Sequence, residues 1–351
     1  MKLRRTRAQR GCSRIVEASA RASRSGSYHA VRNFTYLAPD SLDGIIAALN
    51  TPGAMPMGGG TDLLVEIDEG LRDPKSLVDV RRVGELQGIH AMADGSTRIG
   101  AAVSLSALEQ DATIVHSFPA LAKSCSVAAS SALRNMGTLG GNLCQRPRCW
   151  YFRRGVRCYK RGGNTCPAVE GENQYLGILG GGPCYAVHAS DPAVALTALD
   201  ASVEVRRAGD TRRIGLEDLF GVPNEDATRE TILSQDDLIV SVDLPAPAAG
   251  GVQFYEKVMQ RGAWDFALVS LAAVKRADGA VRLVLGGVAR RPWRVDESVE
   301  EDIASGGLSE DDFATLADRA LYDATPLSGN GYKVALAAAL LKRGMRALLA
   351  S

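Results

Sequence analysis

The chain is expected to fold as an α+β protein in two parts. Up to about residue 247, short strand signals alternate with short helix signals. A Pro/Ala/Gly run, PAPAAGG (245–251), then reads as a linker and boundary. Beyond it, strand signals come first and helical signals after, which fits an antiparallel sheet with helices on one face. The third observation is an interruption. Residues 134–191 hold five of the seven cysteines and almost no periodic apolar pattern.

The 351 residues suffice for two or three domains. With 46% apolar and 23% charged residues, the composition is that of a water-soluble globular protein. No apolar run reaches membrane-span length. Residues 1–32 carry nine Lys/Arg against one acid, while the whole chain is only +1, so the rest is net acidic. That argues against nucleic-acid binding by the body of the protein. The basic segment 1–30 has no apolar h-region or cleavage site, so it does not read as a secretory signal. It is expected to be a disordered extension, a tail or a translated upstream region rather than a transit peptide.

From Val31 the pattern becomes globular. VRNFTYLAP reads as a strand closed by Pro39, and Ser41 as the cap of helix LDGIIAALN, which Pro52-Gly53 ends. SLVDVRRV is a strand, STRIGAAVSLSALEQ a strand then a helix, and PALAKSCSVAASSALRN a helix that buries Cys125. Ser190-Asp191-Pro192 caps helix AVALTALDA. ASVEVRRAGDTRRIGLEDLF reads as a hairpin and short helix, and DLIVSVDL as a strand stopped by Pro245. In the second part VQFYEKVMQ, which bears Lys257, FALVSLAAVKR and AVRLVLGGVARRPWRV are strands. The remainder is helical.

Two glycine turns stand out. AMPMGGGTDLL places Gly58, Gly59 and Gly60 before Thr61, Asp62 and a helix-like run. Such a turn aims successive backbone N–H groups at one anion, and a helix start adds its dipole. This suits a phosphate or pyrophosphate, although the pattern is neither G-x-G-x-x-G nor a P-loop. The second turn, Thr138-Leu139-Gly140-Gly141-Asn142, leads into the cysteine stretch. The two could clasp one extended cofactor, or be unrelated tight turns.

Residues 143–189 read as a long ordered loop, too poor in apolar residues to hold one shape unaided. Cys149, Cys158, Cys166 and Cys184 are spaced C-x8-C-x7-C-x17-C, with Cys144 just upstream. Zinc sites favour shorter knuckles, disulfides need an oxidising compartment, and an iron–sulfur cluster tolerates irregular spacing. The basic residues Arg146, Arg148, Arg153, Arg154, Arg157, Lys160 and Arg161 suit a net-negative cluster. Cluster binding is the expectation, with zinc the alternative and Cys144 not distinguished from the others.

The motifs in order are Gly-Gly-Thr-Asp-Leu, Arg-Asn-x-Gly-Thr-x-Gly-Gly-Asn, Ser-Asp-Pro-Ala, Lys257-x3-Arg261-x3-Asp265-x-Ala267-x-Val269-Ser270, and Gly-Gly-Val-Ala-x-x-Pro. Together they resemble the FAD-binding medium subunit of the molybdenum hydroxylase family, which includes xanthine and carbon monoxide dehydrogenases. The likeness spans about residues 32–350. QRPRCWYF, Cys-x-Lys-Arg, Cys-x-Ala-x-Glu-Gly and Cys-x-Ala-x-His-x-Ser-Asp resemble the aldehyde oxidoreductase branch, whose flavin subunit also carries a 4Fe-4S cluster.

The resemblance implies a two-part FAD-binding domain of the PCMH (vanillyl-alcohol oxidase-like) type over 31–247, with the insert at 143–189. It implies a carbon monoxide dehydrogenase flavoprotein-type domain over 252–351. It implies FAD held by Met55, Pro56, Met57, Gly58, Gly59, Gly60, Thr61, Asp62 and Leu63, by Ala128, by Thr138, Leu139, Gly140, Gly141 and Asn142, and by Asp191, Ile239 and Lys257. The implied cluster ligands are Cys149, Cys158, Cys166 and Cys184, leaving Cys144 spare. Substrate chemistry would lie on a molybdenum-cofactor large subunit, so no catalytic residue is expected here. A small subunit would supply two 2Fe-2S clusters, and a ferredoxin-like protein could be the acceptor. The implied location is the cytoplasm, or the periplasm by co-export with a partner. A stand-alone flavoprotein reductase and a zinc-stabilised binding module are the rival readings.

Overall fold

The computed structural model describes residues 33–247 and 251–350; the segment 1–30 expected to be disordered lies outside the described residues. Three sheets form the frame. The first is parallel, from β1 (Thr35–Leu37), β2 (Ala54–Met57) and β3 (Ser76–Asp79) in the order β1-β3-β2. Helix Leu42–Leu49 makes the crossover from β1, and the Ser41 hydroxyl caps it by accepting from Gly44 N–H at 3.2 Å. Ile45 and Leu49 of this helix are buried against the sheet core.

The second sheet is antiparallel. It contains β4 (Ile89–Ala91), β5 (Thr97–Gly100), β6 (Ser202–Arg207), β7 (Asp210–Gly215) and β8 (Leu238–Leu244) in the order β4-β5-β8-β6-β7. Short helices between residues 105 and 143 join helix Asp191–Ala198 over its apolar face. The third sheet is an antiparallel run of β9 (Val252–Val258), β10 (Val269–Lys275), β11 (Val281–Gly286) and β12 (Trp293–Arg294). Its outer face is covered by helices Glu297–Ser305, Glu310–Ala320 and Tyr332–Leu349.

The inner face of the third sheet meets the second unit. Helix Asp191–Ala198 packs on β10 and β11 and also on helix Pro119–Ser126, which itself touches β9. All eight of its residues are buried, which explains its mostly small, apolar composition apart from Asp191 and Thr197. The stretch 119–135, read from sequence as one helix, is two: Pro119–Ser126 and Ser131–Met136. Ala129 takes φ 49° between them, and Ser130 caps the second by accepting from Leu133 N–H. A left-handed alanine is unfavourable locally, so packing imposes the break.

Among the described residues, no helix is long and apolar enough to cross a membrane.

Candidate cofactor site

The two glycine turns are 80 residues apart in sequence and touch in space. An ideal Cβ on Gly58 would lie 2.3 Å from Thr138 Oγ1, and one on Gly59 only 1.8 Å from the Met136 carbonyl oxygen. Gly60 has φ +72°, which glycine adopts without strain. At Gly59 backbone packs on backbone, and at Gly58 the Thr138 side chain fills the space a Cβ would take, so neither position has room for a side chain. Thr138 caps helix Leu139–Leu143 by accepting from Gly141 N–H at 3.2 Å.

Both turns line one cleft of about 1580 Å³ of space free of protein atoms, open mouth included. Its wall contains every residue from Met55 to Leu63, together with Ala128, Thr138, Gly141, Asn142, Asp191 and Lys257. Leu139, Gly140 and Ile239 lie outside it. Leu139 and Ile239 are buried in the core of the second sheet, and a Cβ on Gly140 would press on Ala101 at 3.0 Å. The three residues thus support the cleft from behind.

Asp191 does more than start its helix, where Ser190 is the cap. Its carboxylate accepts from Lys257 Nζ at 2.8 Å and from Tyr255 Oη at 3.0 Å. Lys257 also donates to the Val127 carbonyl at 3.1 Å, beside Ala128 and Ala129 in the wall. Burial pushes the Asp191 carboxyl up, and the Lys257 ammonium opposes that push. β9, the strained Ala129 turn and the central helix meet at this pair.

The cysteine stretch contains only two short helical turns, Trp150–Arg153 and Tyr159–Arg161. Cys149, Cys158, Cys166 and Cys184 nevertheless line one small space, of about 310 Å³ free of protein atoms with open solvent included. Cys144 is not with them: it lies on the wall of the large cleft. Among the described residues, no three His, Cys, Asp or Glu side chains close on a point suited to one ion. The walls between the sulfurs are Tyr151, Phe152, Pro167, Leu176 and Ala186, with no carboxylate.

The basic residues do not surround the thiols as the sequence suggested. Arg148 and Arg153 pair with Asp62, and Arg146 with Glu230. Arg154, Arg157 and Arg161 face solvent. Only Lys160 reaches the cysteine space, and it is itself paired with Glu230. Burial accordingly pushes the Cys149 thiol up to about 11 and raises Cys184, an effect that Lys160 partly opposes. Four neighbouring thiols, Cys158 and Cys184 buried and Cys149 and Cys166 half-buried, are a donor set that a cationic centre would hold as thiolates.

A third cavity joins the other two. It shares Arg148, Asp191, Arg261 and Phe266 with the large cleft and Cys149 and Leu176 with the cysteine space. Sequence reasoning did not pick out Arg148 or Phe266 as lining residues. The spacing Lys257-x3-Arg261-x3-Asp265 was the available signal, since that loop turns back over the cleft through Arg261 N–H to Asp265 at 3.2 Å.

His188 also lines this third cavity. Burial lowers its pKa to about 4, and its Nδ1 accepts from Ser190 N–H at 3.3 Å. The ring is therefore neutral in the folded state near pH 7. Between about pH 4 and 6.5 the unfolded chain binds the extra proton, so stability falls as pH drops through that window. The contribution is about 3 kcal/mol at most. Urea midpoints against pH check it: His188→Gln should flatten the slope across this window relative to the unsubstituted protein.

Fold and cleft together define a class: a mixed helix-and-sheet protein with paired glycine turns facing a dinucleotide-sized site. The family model described as FAD binding domain in molybdopterin dehydrogenase matches residues 32–247, and the chain belongs to that family. It is thus the flavin-binding component of an oxidoreductase. It is 36% identical over 325 residues to the aldehyde oxidoreductase FAD-binding subunit PaoB of Escherichia coli K12, covering 91% of this chain and 98% of that one. It is 24% identical to a xanthine dehydrogenase FAD-binding subunit of Escherichia coli O157:H7, covering 82% and 84%. The fold matches carbon monoxide dehydrogenase of Hydrogenophaga pseudoflava, with TM-score 0.70 and 23% identity over 90% of this chain and 97% of that one. It also matches quinoline 2-oxidoreductase of Pseudomonas putida 86, with TM-score 0.70 and 24% identity over 93% and 99%.

Proposed function

We propose that this chain is the FAD- and 4Fe-4S-carrying electron-transfer subunit of a molybdenum-containing aldehyde or xanthine-type dehydrogenase. The observation that carries it is the adjacency of two cavities, one built on paired glycine turns and one on four cysteines. The 36% identical aldehyde oxidoreductase subunit favours the aldehyde branch.

Met55–Leu63 would hold the FAD pyrophosphate on backbone N–H groups, and Thr138–Asn142 would be the second clasp, the N–H groups of residues 139–142 being spent on Val103, Ala101 and Thr138. Ala128 would line the site, with Leu139, Gly140 and Ile239 behind it. Lys257, fixed by Asp191, would present positive charge to the cofactor. Cys149, Cys158, Cys166 and Cys184 would be the cluster ligands. Four cysteines lining one space could serve a zinc or a polynuclear centre, and their irregular C-x8-C-x7-C-x17-C spacing favours the iron–sulfur cluster. When bound, FAD supplies interconversion of one- and two-electron transfer, and the cluster supplies a one-electron site.

The domain reading is a PCMH-type FAD-binding domain over 31–247 with the insert at 143–189, followed by a carbon monoxide dehydrogenase flavoprotein-type domain over 252–351. The sequence has no ferredoxin-type cysteine run outside the insert, so a small subunit would bring two 2Fe-2S clusters and a large subunit the molybdenum cofactor. Electrons would enter from the small subunit and leave to an external acceptor. The exposed Arg154, Arg157 and Arg161 favour an acidic, ferredoxin-like acceptor. The place of action is the cytoplasm, or the periplasm if a partner carries the chain there.

The test is reconstitution. Alone, the chain should oxidise neither aldehyde nor NAD(P)H; with the large and small subunits, aldehyde should reduce its flavin. Turnover without partners would instead establish a stand-alone reductase. In the assembled enzyme, changing Arg154, Arg157 and Arg161 together to Gln should slow reduction of an acidic acceptor at low salt and flatten its salt dependence. An unchanged salt dependence would dispose of the docking face.

A further inference from the structure

The first glycine turn and the cysteine insert are locked together by one carboxylate. Asp62 Oδ2 accepts from Arg146 N–H at 2.9 Å. Asp62 Oδ1 takes Arg148 Nη1 and Arg153 Nη2, each at 2.9 Å. These arginines bracket Cys149. Arg148 precedes it, and Arg153 ends the helical turn Trp150–Arg153 for which Cys149 is the N-terminal residue. Arg153 also donates to the Pro147 carbonyl at 2.9 Å, to the Arg146 carbonyl at 3.1 Å and to Glu69 at 3.2 Å. A parallel link runs from Arg146 through Glu230 to Lys160, which lines the cysteine space.

Asp62 lies in the wall of the large cleft, in the same turn as Gly58–Gly60. A bare carboxylate there would repel the two phosphates of a dinucleotide. Paired with two guanidiniums, it does not. Burial alone would raise the Asp62 carboxyl, but Arg148, Arg153 and the Arg146 N–H outweigh it and hold the group below the usual carboxylate range. The charge is therefore present and must stay compensated.

Resting on the two-cofactor reading, we propose that Asp62 is a positioning residue that couples the sites. A cluster on Cys149 fixes residues 146–153, keeps both arginines on Asp62, and thereby raises the affinity of the cleft for FAD. When the insert loosens, the arginines leave and the turn presents uncompensated negative charge to the pyrophosphate. Coupling is reciprocal, so bound FAD must strengthen retention of the cluster by the same factor.

FAD affinity is measured by flavin fluorescence on deflavinated full-length protein in two states. One retains its cluster; the other has been stripped with chelator under oxidant and its thiols re-reduced. Iron content is assayed in parallel, and iron retained at equilibrium against a chelator is compared with and without FAD. In the unsubstituted protein, stripping should weaken FAD binding about tenfold or more. In Asp62→Asn the two states should bind FAD within about twofold of each other, because no charge is left to expose. Arg148→Gln, a more exposed partner that leaves Arg153 in place, should bring the cluster-loaded protein toward the stripped value. Equal FAD affinity in both states of the iron-containing unsubstituted protein would overturn the coupling. Absence of iron even after reconstitution would instead remove the cluster itself, and the coupling with it.

Discussion

Gly59→Ala should cost this protein its flavin. The added methyl carbon would sit 1.8 Å from the Met136 carbonyl oxygen and 2.3 Å from its carbonyl carbon. These are backbone atoms at the end of helix Ser131–Met136, so no side chain can rotate away. The two glycine turns would have to separate by more than an ångström, and the cleft would lose its paired geometry. Overpacking of this kind costs about 3 kcal/mol or more. FAD affinity should fall by about 100-fold or more, since both turns line the cleft and would be forced apart. Gly84→Ala is the control: nothing lies within 4 Å of its Cβ position, and its backbone needs no left-handed conformation. Thermal unfolding and flavin titration of the two variants should therefore diverge sharply.

Lys257→Met should destabilise by about 3–5 kcal/mol, because it leaves Asp191 charged and unpaired in the interior. Asp191 is 6% exposed, so water cannot substitute for the ammonium. Tyr255 Oη, at 3.0 Å, is the one remaining side-chain donor to that carboxylate. The loss reaches the cleft as well, since Lys257 also holds the Val127 carbonyl beside Ala128 and Ala129. Asp191→Asn in the same background should recover much of the stability, because the buried charge is then gone from both sides. On the role proposed for Lys257 toward the cofactor, it should not recover FAD binding. Urea denaturation of both single variants and the double variant measures the first effect, and flavin titration the second. A double variant no more stable than Lys257→Met would show that the pair is not the source of the cost.

Much of this architecture is legible in sequence where local chemistry decides it. Ser41 and Ser190 are each followed by an apolar or small-residue run, and each caps a helix, whereas the cap at Ser130 is hidden inside a continuous helical pattern. The break after β8 is announced by Pro245, and the glycine turns by composition alone. What sequence did not disclose depends on distant partners. Asp62 read as the start of a helix, yet its partners lie 84 to 91 residues away. The insert arginines read as a cationic shell for the thiols, but half-buried carboxylates at Asp62 and Glu230 claim Arg146, Arg148 and Arg153, and Arg154, Arg157 and Arg161 face solvent. Ala129 carries no glycine-like signal, although its left-handed turn forms part of the cleft wall. Leu139 and Ile239 are apolar residues whose inward direction is set by packing of the second sheet. Cys144 is not separable from its neighbours by spacing; the family resemblance sets it apart, and its place on the wall of the large cleft agrees.

The most direct measurement is the cofactor content of the protein purified under anaerobic conditions. One FAD with about four iron and four sulfide per chain is the expected result, the iron and sulfide being lost in Cys158→Ser while FAD still binds, though more weakly. Protein with neither flavin nor iron after reconstitution, or with one zinc in place of the iron, would contradict it.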